Sequence, residues 1–168
     1  MVKLRLGGST MKKIVVFLLA AAILFSACSG RHKVSVGESI SSIHKQYTPY
    51  LTINTLSAYK IGGNYWMTLD DGNTIQKLAE FSPDRTCLRT QGLRLIEIND
   101  ICQLLNVSVD SLTEKLGQPH ADIGSGFSVP AYITDDAELL CFELENDSVV
   151  EIILRDLFTG EIVDRVAG

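Results

Sequence analysis

Side chains able to do chemistry are few in this chain, and their spacing assembles no reaction centre. His32, His44 and His120 stand far apart. His120 and Asp122 offer two metal ligands, but a zinc site needs three or four and no third stands near them. Both read as exposed loop residues. Asp70-Asp71-Gly72-Asn73 has oxygen ligands without the spacing and closing Glu of a calcium loop, so it reads as a hairpin turn. Asp135-Asp136 is the same case. Gly124-Ser125-Gly126 would cradle an anion only before a helix N-terminus, and none follows; it reads as a flexible loop. There is no Gly-x-Ser-x-Gly nucleophile elbow. Cys87 has no histidine at a spacing that would make it a nucleophile. No catalytic residue, metal site or cofactor is therefore assigned.

Cys28 is different, because of what precedes it. Met11 and the basic pair Lys12-Lys13 lead into the apolar run Ile14 to Phe25, and the small residues Ser26-Ala27 precede the cysteine. A basic start, a short apolar run and small residues at its exit make a secretory signal. The run is shorter than the ~20 residues a bilayer span needs. Leu24-Phe25-Ser26-Ala27-Cys28 resembles the bacterial lipobox, in which cleavage falls just before a cysteine whose sulfur carries diacylglycerol. Phe25 takes the place where that pattern usually has Leu. The expected organisation is a signal over 11–27, an anchor and linker over 28–33, and one domain over 34–168. Residues 1–10 lengthen the signal without its usual shape. Gly7-Gly8 fits a translated ribosome-binding tract, with Met11 as the true start.

From Cys28 onward the chain has 141 residues, enough for one domain with a real core. That part holds 11 basic and 20 acidic residues, a formal net charge of −9. Such a surface repels phosphates, so nucleic acid is excluded as a partner. The remaining cysteines, Cys87, Cys102 and Cys141, are odd in number and allow one internal bridge at most. Cys87 with Cys102 is the candidate pair if export brings oxidation. Otherwise Cys102 and Cys141, set among apolar residues, read as core thiols.

The elements that position these residues recur along the chain. Val34-Ser35-Val36 returns as Val107-Ser108-Val109, and Ala58-Tyr59 as Ala131-Tyr132, both 73 positions on. Met67 to Gly72 matches Phe142 to Asp147 at a shift of 75. The pattern predicts a tandem repeat, about 34–96 and 97–168, of a helix followed by antiparallel strands. A first helix is expected from Ser35, with Glu38 as capping-box partner and Ile40, Ile43 and Tyr47 on one face. A second is expected from Ser108, burying Leu112 and Leu116 and ending at Gly117 before Pro119. A short helix over 99–105 precedes it, while Leu93 to Ile98 fits a strand equally well. Tyr65–Leu69 with Thr74–Phe81, and Leu139–Glu145 with Ser148–Arg155, read as hairpins, and Glu161–Val166 as an edge strand. The fold class is α+β, with helices packed on one face of an antiparallel sheet. Met67, Leu69, Phe142 and Leu144 should face the helices. Alternation then turns Trp66 to the other face, where it either packs between the repeats or serves as an exposed aromatic anchor for a partner.

Asn106-Val107-Ser108, Leu112 and Leu116-Gly117-Gln118-Pro119 resemble the SmpA/OmlA small-lipoprotein family and its relatives with the β-lactamase-inhibitor-protein-like fold. Ser108 stands at that motif's Thr, Leu112 and Leu116 at its apolar positions, and Gly117 and Pro119 at its exit. Asn106 replaces a Gly, which suits a left-handed backbone angle. The likeness covers about the last third of the chain and is structural. It implies small envelope lipoproteins that bind proteins and catalyse nothing. The expected function is thus a membrane-anchored, outward-facing protein-binding or scaffold module of a bacterial envelope. Ser29 after the cysteine suits an outer membrane if the host has one. An inhibitor or sensor of an extracytoplasmic enzyme is the alternative, and a hydrolase the third reading.

Overall fold

Alternating and continuous apolar runs divide the strands into two kinds, and that division explains the layers. The computed structural model describes residues 33–168, so the signal, Cys28, Arg31 and His32 lie outside the described residues. Residues 34–168 form one compact unit. Helix α1 (Ile40–Gln46) leads into β1 (Leu51–Ile53), β2 (Leu56–Ile61), β3 (Asn64–Asp70), β4 (Ile75–Phe81) and β5 (Cys87–Gln91). A 3-10 turn (Ile101–Leu104) and helix α2 (Val109–Leu116) then lead into β6 (Ala121–Asp122), β7 (Pro130–Ile133), β8 (Glu138–Glu145), β9 (Ser148–Asp156) and β10 (Ile162–Ala167). Each set of five strands is an antiparallel sheet ordered as in the chain.

The expected single sheet is replaced by two. Leu56, Ala58, Met67, Leu69, Ala79 and Phe81 of the first share one buried cluster with Ala131, Ile133, Leu139 and Cys141 of the second. The sheets therefore pack face to face, and each outer face carries its own helix. Ile40 and Ile43 of α1 cover Tyr59, Trp66, Ile75 and Leu78. Leu112 of α2 covers Tyr132, Leu140, Phe142, Val149 and Ile152, with Leu104 beside it. Covering both faces is why β2 and β7 bury adjacent residues and lose the polar alternation of a half-exposed strand.

This layering corrects the facing of the hairpins. Met67 lies between the sheets, whereas Phe142 lies under α2. In the ladders Tyr59 pairs with Trp66 and Tyr132 with Leu140, so Leu140 occupies the place of Trp66 and Cys141 that of Met67. Matched by these ladder pairs the hairpins lie 74 positions apart and not 75, and a slip of one residue exchanges the faces of a strand. Leu144 is only partly buried.

Helix starts also move. Glu38 does accept from the Ser35 amide (3.2 Å), but within a turn, and Ser39 stands at the N-cap position of α1 without a capping bond from its side chain. Ser108 caps α2 as expected, its hydroxyl accepting from the Ser111 amide at 3.2 Å. Gly117 takes the positive φ expected of a glycine exit (+84°), but with ψ −171° it is extended and not in the left-handed helical conformation. The segment 93–98 is neither helix nor strand; Ile96 makes a single parallel bridge to Thr134.

Along the seam of the two sheets the contacts are polar and aromatic. Tyr65 stacks on Phe158 with centroids 3.8 Å apart, and the Arg85 guanidinium lies 5.1 Å from the Phe158 ring. Arg85 also pairs with the Asp156 carboxylate. Burial works against that charge, but Arg85 and the amides of Thr159 and Phe158 outweigh it and hold the carboxyl below its ordinary value. Tyr50 donates its hydroxyl to the Leu157 carbonyl at 2.7 Å.

Candidate functional site

Trp66 is placed on β3 by its pairing with Tyr59 on one side and Glu80 on the other. The outer face of the first sheet is where α1 lies, and the indole is 4% exposed there. The Arg89 guanidinium covers its ring at 5.0 Å, and an Arg89 terminal nitrogen donates to the Val34 carbonyl at 2.6 Å. An exposed partner anchor needs its ring in water, so that expectation is corrected: Trp66 belongs to the core.

The cysteines are likewise corrected. Cys87, Cys102 and Cys141 are all free thiols, so the candidate Cys87–Cys102 bridge is not formed. Cys102 is exposed on the 3-10 turn and is not a core thiol; Cys141 is buried between the sheets as expected. Burial raises both Cys87 and Cys141, the latter to about 12. In residues 29–168, alkylation of the native protein should therefore modify Cys102 first and Cys87 more slowly. Cys141 should react only after unfolding, as intact-mass spectra would show. Protection of both Cys87 and Cys102 would restore the bridge.

His120 is less exposed than a loop position suggests. Its Nδ1 accepts from the Ile133 amide at 2.8 Å, its ring lies 5.5 Å from that of Tyr132, and its carbonyl accepts from the Lys77 ammonium at 3.1 Å. Burial first, and then the Lys77 charge, push the imidazole down to about 4, against a weaker opposing pull from the Arg94 backbone. A folded value below the unfolded one means stability is complete above pH 6.5 and is lost as pH falls towards 4. Discounted for partial exposure, the loss is about 2 kcal/mol. Urea melts at pH 7, 5.5 and 4 should show it, and His120→Gln should flatten that slope.

Asp122 does not join His120 in a ligand set. Its carboxylate accepts from the amides of Gly124 (3.0 Å) and Val129 (2.9 Å) and from the Ser128 hydroxyl (2.8 Å). The Gly124–Ser128 loop is thus braced, correcting the expectation of a flexible one. A Cβ on Gly124 would sit 1.7 Å from the Phe127 carbonyl oxygen, so only glycine fits. Asp71 accepts from the amides of Asn73 and Thr74, which makes its acidic run a hairpin turn as read. Among the described residues no group of three His, Cys, Asp or Glu side chains is placed to hold a metal.

A cleft of about 530 Å³ lies between the C-terminal half of α2 and the 94–97 segment. Arg94, Glu97, Glu114, Lys115 and Asp135 give its wall both signs of charge, and no Ser, Thr, Cys or His lines it. Sequence reasoning missed it because residues 94–97 have no regular structure and are brought beside α2 by the Ile96 bridge to Thr134 and by the cluster that Ile96 shares with Leu112. The described residues thus form a mixed α and β fold of two antiparallel sheets and two α-helices. No family model, curated protein or solved structure matches the chain. No helix among the described residues is long and apolar enough to cross a membrane.

Proposed function

We propose that this chain is a membrane-anchored, extracytoplasmic lipoprotein of a bacterial envelope, a non-catalytic protein-binding or scaffold module. The observation that carries this reading is the order Lys12-Lys13, Ile14 to Phe25, Ser26-Ala27, Cys28. A diacylglycerol on Cys28 supplies two chains, and at ~0.8 kcal/mol per buried methylene two chains hold where one is marginal. The mature protein should begin at Cys28, carry the acyl mass there and sediment with membranes. Cys28→Ala should block acylation and cleavage and leave the longer precursor. Mass spectrometry finding an unmodified N-terminus, with wild-type protein in the soluble fraction, would overturn the reading.

We also infer that the domain is a tandem repeat of a helix and a five-stranded meander. Matching backbone bonds support this. The Ile40 amide donates to the Asn73 carbonyl (3.0 Å), as Val109 does to Asp147 (3.0 Å); Ile75 donates to Glu38 (2.9 Å), as Val149 does to Val107 (2.9 Å). Gly37 (φ +86°) and Asn106 (φ +58°) hold the same left-handed place before the N-cap residues Ser39 and Ser108. The register shift between Leu69 and Asp70 recurs between Glu143 and Leu144, again 74 positions on. Gly37-Glu38-Ser39 thereby gives the first half a helix start like that of the SmpA/OmlA pattern, without its Gly-x-Pro exit.

A further inference from the structure

The two halves differ in charge far more than in fold. Residues 34–96 carry five acidic and six basic side chains, and residues 97–168 carry fifteen and three. Eleven of those fifteen are exposed, Asp110, Glu114 and Asp147 around α2 among them, whereas only Asp71 and Asp84 are exposed acids in the first half. The first sheet also clasps the chain that leads back to Cys28. Val34 is fully buried beside α1, its carbonyl held by Arg89, and the Val36 amide donates to the Gln91 side chain at 3.3 Å. Five residues separate Cys28 from Val34, and the six extended steps between them reach at most ~22 Å.

We propose that the surface around α1 is the membrane-facing side, and that its partner is the anionic headgroup layer of the bilayer holding Cys28. The proposal rests on the lipid-anchor reading and specifies which face that anchor presents to lipid. Lys45 on α1 is exposed, and so is Val36 in the segment that leads into the helix. Of the acids near it, Glu80 is paired with Arg89, Glu38 accepts from the Ser35 amide, and the exposed Asp71, in the turn bonded to the start of α1, accepts from the Asn73 and Thr74 amides. An anionic surface acts over a Debye length of ~8 Å in physiological salt. The short tether keeps the domain near that surface. The acidic second half is repelled from it, so the second sheet and α2 turn outward.

The test uses the full-length lipidated protein in phosphatidylcholine vesicles with and without phosphatidylglycerol. Cys87 and Cys102 are replaced by Ser, and a fluorophore is placed at Gln46→Cys on α1 or at Gln118→Cys just after α2. Both sites are exposed and uncharged. Layers ~10 Å apart separate α1 from α2 across both sheets, so energy transfer to a headgroup-labelled lipid should be several-fold greater from position 46. The gap should widen with phosphatidylglycerol, shrink in high salt, and close in Asp110→Lys/Glu114→Lys/Asp147→Lys. Equal transfer from both sites, or more from 118, in protein that floats with the vesicles overturns the orientation alone. Protein that does not float overturns the anchor and the orientation together.

Discussion

Phe142→Ala is expected to cost ~3–5 kcal/mol of folding free energy, the range for emptying a fully buried aromatic site. The ring has no exposed surface and meets Tyr132 edge to face, centroids 5.8 Å apart. Leu112 of α2 and Val149 and Ile152 of β9 share its cluster, so truncation undermines the helix as well as the sheet. Leu144→Ala, at a partly buried site, should cost clearly less. Urea titrations of the two variants measure the difference directly. A Phe142→Ala loss no larger than that of Leu144→Ala would mean that α2 does not seat on this face of β8.

Trp66→Ala should be about as damaging, again ~3–5 kcal/mol, because the indole fills the layer under α1. Arg89 would lose the ring beneath its guanidinium, and its hold on the Val34 carbonyl would loosen with it. The chain has one Trp, so native fluorescence should be blue-shifted and poorly quenched by iodide, and should move red on unfolding. An unchanged melting temperature together with weaker capture of a partner would reverse the assignment and return Trp66 to the surface.

Local chemistry made much of the secondary structure legible. Gly72 at φ +90° and Asn146-Asp147 at φ +48° and +60° turn their hairpins where turn residues were expected. Ser108 and Gly117 bound α2 because a cap hydroxyl and a glycine free to take positive φ act within one helical turn. The first helix was misplaced by four residues because Ser35 and Ser39 both offer a cap, and Glu38 is spaced correctly for the first. Only the bonds that tie Gly37 and Glu38 to Ile75 put Ser35 in a turn. Phe158 escaped notice because its stacking partner Tyr65 lies in the other sheet.

What the sequence determined by itself is therefore what neighbours along the chain decide: turns, caps, strand positions, and the signal-like order that ends at Cys28. What tertiary structure decided is which side of each strand faces what. Ala58-Tyr59 and Leu140-Cys141 have no polar alternation that marks an inside, because Tyr59 and Leu140 lie under helices while Ala58 and Cys141 meet the opposite sheet. With both faces covered by protein, apolar residues are favoured on both, and the period of two that would set the register from sequence disappears. The burial of Trp66 follows from the same cause, since the helix that covers it is brought there by the Ile40 bond to Asn73, across a gap of 33 residues.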